Sequence, residues 1–109
     1  MNIFDEIKQK LTVAIGEIAT NEGVVLEAKK LENFAVSPAR DEKHGDLASN
    51  VAMVFAKDFR DKPANLAAKI IAKLSGDKDF TKIEIAGAGF INFVCQKSVW
   101  HNSLAKILD

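Results

Sequence analysis

Ile3, Phe4, Ile7, Leu11, Ala14, Ile15 and Ile18 recur at steps of three and four residues, which sets one apolar stripe on a helix running from about residue 3 to 21. Asn2 suits the N-cap, Asp5 and Glu6 favour the positive end of the helix dipole, and Asn21, Glu22 and Gly23 supply the stop. Between Val24 and Glu32 neither helical nor strand period stands out, and the next clear signal is the alternation of Phe34 and Val36, a short strand ended by Pro38. Ala39 to His44 reads as a solvated charged loop. Gly45 permits a turn, and Asp46 is placed to cap a helix whose inner face is Leu47, Val51, Val54 and Phe55, broken by Arg60, Asp61, Lys62 and Pro63. Pro63 fits the first turn of a further helix with the stripe Leu66, Ala67, Ile70, Ile71 and Leu74, ended by Gly76.

From Thr81 to Ala86 the period falls to two, with Ile83 and Ile85 on one side. After Gly87, Ala88 and Gly89 a second strand, Phe90 to Cys95, completes a hairpin. Ser98 would cap a last helix carrying Trp100, Leu104, Ile107 and Leu108 inward. Helix, strand, helix, helix, strand, strand, helix is not the alternation of a doubly wound sheet. The expected class is therefore α+β, two-layered, with a small antiparallel sheet and helices packed on one face, all of residues 1–109 forming one domain.

Composition narrows the function. Fifteen basic and fifteen acidic side chains cancel, which counts against a sequence-independent nucleic-acid binder, whose footprint would be strongly basic, so any nucleic-acid contact must be local. Cys95 is the only cysteine, which rules out an internal disulfide, and only His44 and His101 could join it at a zinc ion, so no metal site is expected. No stretch approaches the ~18 apolar residues that cross a bilayer, and Met1 to Lys10 has no signal-peptide h-region, so a reducing, cytoplasmic setting and no membrane partner are expected.

No catalytic constellation emerges. Gly87, Ala88 and Gly89 open like a dinucleotide fingerprint, but Asn92 stands where the third glycine belongs and a strand follows where a helix is needed. Ser37, His44 and Asp46 lack a nucleophile-elbow context. For His44, Gly45 and Asp46 a turn with a helix cap is the favoured reading over a ligand contact.

The hairpin offers a surface. With period two, Ile91, Phe93 and Cys95 share one face, continuing the core begun by Ile83 and Ile85, while Phe90, Asn92 and Val94 share the other. Phe90 and Asn92 would stand side by side beside Gly87 and Gly89, whose missing side chains let another molecule's backbone come close. A ring for stacking and an amide for bidentate hydrogen bonding can hold one unstacked base, and Arg40, Lys43 and Lys82 could add phosphate contacts. A Phe covered by a loop and an Asn satisfying a turn fit the pattern equally well.

Three runs in order, HGDLASNVAM from His44 to Met53, KPANLAAKIIAKL from Lys62 to Leu74 and IAGAGFINFV from Ile85 to Val94, resemble the N-terminal accessory domain of bacterial-type arginyl-tRNA synthetases. The likeness covers essentially the whole chain, with Gly87, Ala88 and Gly89 standing where the family usually has Gly-Pro-Gly. It implies a two-layer α+β fold and contact with the D-loop at the elbow of arginine tRNA, through the aromatic and amide matching Phe90 and Asn92. It also implies that ATP and arginine are handled by a catalytic domain of the same protein, with a His-Ile-Gly-His-type signature absent from this sequence. The chain is thus expected to be a monomeric fragment that is not an enzyme and needs no cofactor, ATP serving the parent ligase. A module docking a protein groove through Phe90 is the alternative.

Overall fold

The computed structural model describes residues 2–39 and 46–96, and its long first helix, α1 (Ile3–Glu22), follows directly from the apolar stripe. The Asn2 side chain accepts from the Asp5 amide at 3.0 Å, and Gly23 closes the helix in the left-handed region at φ 69°, where a side chain is costly. Ile3, Ile7, Leu11, Ala14, Ile15, Ile18 and Ala19 are buried.

The stretch without a clear period contains a short helix, α2 (Ala28–Asn33), which buries no residue completely. With barely two turns and only Leu31 leaning on the core, it has no stripe to betray it. Lys30 ties it to Asp58 at 2.7 Å. Phe34, expected in the first strand, is instead the buried residue at the helix exit, and β1 comprises Val36–Pro38.

The segment after the charged loop overturns one expectation. Leu47–Ser49 is a strand, β2, and not the start of a helix capped by Asp46; α3 is confined to Val51–Phe55. Leu47 and Ser49 point inward with Ala48 between them, a period-two pattern too short to outweigh the helical spacing of Leu47 with Val51, Val54 and Phe55. A partner strand 40 or more residues ahead in the chain decides the matter, because it satisfies backbone groups that a helix would otherwise pair internally. Asp46 fastens that ladder, its carboxylate accepting from the Cys95 amide at 2.9 Å and its own amide donating to the Phe93 carbonyl at 2.8 Å. The N-cap of α3 is Asn50, and Ser49 just before it steadies the helix start, its hydroxyl accepting from the Val51 amide at 3.2 Å and donating to the Ala35 carbonyl at 2.8 Å.

The end of α3 is closed by the Asp61 amide donating to the Ala56 carbonyl and the Arg60 amide to the Lys57 carbonyl, with Arg60 itself at φ 54°. Pro63 opens α4 (Pro63–Leu74), whose Leu66, Ala67, Ile70 and Leu74 are buried while Ile71 sits half-buried at the edge of the stripe. Two strands follow, β3 (Phe80–Ala86) and β4 (Phe90–Cys95), forming the expected hairpin with a bulge between Phe80 and Lys82.

The sheet is antiparallel throughout in the order β1-β2-β4-β3. Its inner face carries Leu47, Ile91 and Phe93, none with measurable exposure, against the stripes of α1, α3 and α4. This is a two-layer α+β fold with helices on one face of a small antiparallel sheet. The last helix expected from Ser98 to Leu108 lies outside the described residues.

Candidate nucleic-acid interface

The hairpin turn is built from backbone conformations that side chains resist. Gly87 has φ 56° and Gly89 φ 136°, and a Cβ on Gly89 would stand 2.5 Å from Cβ of Pro63. The hairpin tip therefore rests on the first turn of α4, with Met53 of α3 also within 3.4 Å of that position. This packing fixes the tip in place.

Phe90 is the first residue of β4, opposite Ala86, and is 43% exposed. Ile85 and Met53 are also exposed apolar side chains. Period two and the register put Phe90, Asn92 and Val94 on the outer face together with Ala86, Glu84 and Lys82 of β3 and Ala48 of β2. The sharing of a face by Phe90, Asn92 and Lys82 agrees with the alternation.

Exposure differs from the expectation at two positions. Asn92 is only 7% exposed, because β4 is a central strand and Asn92 lies between Ala48 and Glu84. Ile85, expected in the core, is 39% exposed: it faces Ile91 across the edge strand at the end of the sheet, where the buried inner face runs out. Lys82 is exposed but sits 3.5 Å from Glu84, so the outer face carries a balanced pair rather than a bare cation. Arg40, Lys43 and His44 lie outside the described residues.

At the opposite end of the hairpin, Lys10 of α1 bonds both Asp77 and Asp79 at 2.6 Å and stands 5.2 Å over the Phe80 ring. Burial pushes the Lys10 ammonium down, but the hydrogen bonds and charges of the two aspartates outweigh it and hold the group above its usual range. Asp77 is held below the usual carboxylate range, the Lys10 contact and the Asp79 amide overcoming its burial. The Cys95 thiol nearby is pushed up to about 11, by burial first and then by Asp46 and Asp79. Among the described residues no group of three or more His, Cys, Asp or Glu is placed to hold a metal ion, and no helix is long and apolar enough to cross a membrane.

Sequence reasoning passed over the turn between α3 and α4. Arg60, Asp61 and Lys62 read there only as a helix break and Pro63 as that break and the start of α4, yet Pro63 also supports the hairpin tip. The density of charge in that break was the available signal.

A sheet of four antiparallel strands, backed by helices and ending in a braced hairpin with an exposed aromatic, defines the class: a two-layer α+β domain whose distinctive surface is a strand and turn rather than a pocket. A family model described as Arginyl tRNA synthetase N terminal domain matches residues 5–95, and the chain belongs to that family. Arginine–tRNA ligase of Ruegeria sp. (strain TM1040) is 42% identical over all of this chain and 19% of its own length; that of Bradyrhizobium sp. (strain ORS 278) is 49% identical over 75% of this chain and 14% of its own. The chain thus spans about a fifth of the length of such relatives or less. Two solved structures share the fold: arginyl-tRNA synthetase from Plasmodium falciparum, with a TM-score of 0.70 at 21% identity over 100% of this chain and 19% of that one, and the Thermus thermophilus enzyme, with 0.65 at 19% identity over 88% and 14%.

Proposed function

We propose that the chain is the RNA-contacting accessory part of an arginine–tRNA ligase, gripping the D-loop at the elbow of arginine tRNA while a catalytic domain of the same protein uses ATP to attach arginine. The observation that carries this reading is Phe90, a large ring left 43% exposed on an ordered strand at the braced hairpin tip. An exposed aromatic at that place costs solubility and offers a stacking platform for one unstacked base. Asn92, two residues on, supplies the amide; being flanked by Ala48 and Glu84, it would be held in a fixed orientation for reading a base edge. The chain itself is assigned neither ATP nor arginine.

One stacked base contributes ~1–3 kcal/mol and a few phosphate contacts add modestly, so binding should fall between roughly tens of micromolar and millimolar. Titrating the chain with an arginine tRNA and with a tRNA of another specificity measures this. Preference for the arginine tRNA, lost in Phe90→Ala, is the expected result. The exposure of Ile85 and Met53 beside the same turn favours the second reading, protein docking, and equal or absent binding of both RNAs would move the assignment to it.

A further inference from the structure

Among the described residues, six of the eleven cations are spoken for. Lys10, Lys30, Lys69, Lys73 and Lys82 each face a carboxylate within 4 Å, and Lys8 donates to the Glu32 carbonyl and covers the Phe34 ring. Among the described residues, the charged groups of Lys29, Lys57, Arg60, Lys62 and Lys78 have no side-chain hydrogen bond or ion pair, and Lys57, Arg60 and Lys62 crowd into a single turn between α3 and α4. Two acids lie among them: Asp58 is taken by Lys30 at 2.7 Å, and Asp61 is turned to its own backbone and neighbours, accepting from the Lys62 amide at 2.8 Å and from Asn65 at 2.9 Å, with Lys69 at 3.7 Å. A depression of about 550 Å³ is lined by Ala56, Lys57, Arg60, Asp61, Lys62 and Asn65.

Two further observations give this cluster a direction. Lys62 directly precedes Pro63, the residue on which Gly89 rests, so the cations begin one residue, about 3.8 Å of backbone, from the contact that braces the hairpin tip. Arg60 occupies the left-handed region at a position where glycine closes a helix without penalty. A strained residue whose side chain does nothing for the fold points to a role outside it.

We propose that Lys57, Arg60 and Lys62 form a phosphate-binding ridge that receives the RNA backbone next to the base held at Phe90. This rests on the RNA-contact reading above and assigns the charge term to a different place from Lys82, which Glu84 balances. The ridge and the ring then divide the labour: the ring selects a displaced base, the ridge positions the strand without reading sequence.

Binding of an arginine tRNA transcript across a salt series tests this with four variants. Replacing Lys57, Arg60 and Lys62 together by Gln should weaken binding about tenfold at low salt and flatten the log–log salt dependence by roughly two units, at 0.7 to 0.9 per phosphate lost. Phe90→Ala should weaken binding and leave that slope unchanged. Lys73→Gln with Lys78→Gln, the charge control, should do little, since Lys73 lies at the far end of α4, roughly 15 Å from Pro63, and Lys78 at the far end of a hairpin roughly 20 Å long. Arg60→Gly should raise the melting midpoint while still losing affinity, which separates RNA contact from folding. A triple variant with unchanged affinity and slope overturns the ridge but leaves the Phe90 reading standing. An equal loss in the Lys73 and Lys78 control overturns it too, by reducing the effect to net charge. Phe90→Ala with full affinity beside a weakened triple variant removes the stacking reading and keeps the ridge, whereas a wild-type chain with no affinity at low salt overturns both.

Discussion

Phe90 and Phe93 lie three residues apart on one strand and have opposite duties. Phe93, without measurable exposure, packs its ring 5.2 Å from that of Phe80, while Phe90 is left half in water. Phe93→Ala should therefore cost roughly 3–5 kcal/mol as a large core truncation, and Phe90→Ala within about 1 kcal/mol. Thermal melts of the two variants check this, and the reverse order would mean the strand faces the other way. Asn92→Ala falls between them, since its burial makes it a structural residue as well as a surface one. Cys95 adds a pH signature. Its thiol is raised from 9.0 to about 11 in the folded chain, so above pH 9 the unfolded chain loses a proton that the folded one retains. Stability should be unaffected by this group below pH 9 and should fall by on the order of 2 kcal/mol as the pH climbs to 11. Denaturation midpoints followed from pH 8 to 11 should decline more steeply in the wild type than in Cys95→Ala.

At the scale of elements, the hairpin depends on its turn. Gly89→Ala would place a Cβ 2.5 Å from that of Pro63 and strain a backbone at φ 136°, and a loss of roughly 2 kcal/mol or more is expected in urea denaturation, against a near-silent Ala88→Ser at the exposed neighbouring position. Elements with their own periodic signal were legible before the fold was known: α1 with its Asn2 cap and Gly23 stop, α4 from Pro63 onward, and the β3–β4 hairpin. β2 was not, because three residues, Leu47 to Ser49, acquire strand character only from partners elsewhere in the chain, β1 roughly ten positions back and β4 more than 40 ahead. The same cause limited the reading of the hairpin surface. Alternation sorted Phe90 from Ile91, but the burial of Asn92 comes from neighbours on β2 and β3, and the nearness of the α3–α4 turn comes from a Gly89–Pro63 contact that no spacing announces.

For the whole molecule, the order β1-β2-β4-β3 leaves the sheet with two open margins, and each is defended. β1 is three residues long and ends on Pro38, which has no amide hydrogen to offer an incoming strand. β3 is longer, but its ladder is interrupted by the bulge between Phe80 and Lys82 and it carries the polar Thr81, Lys82 and Glu84, which blunt the edge against an incoming strand. The most β-prone segment of the chain, Phe90–Cys95, pairs with β3 along its length and is enclosed on its other side by β2 from Ile91 to Phe93, with Asp46 accepting from the Cys95 amide beyond. The strand that carries the exposed Phe90 ring is thus paired on both sides at its centre, which keeps the stretch of this chain best suited to a fibril from pairing with other copies of itself.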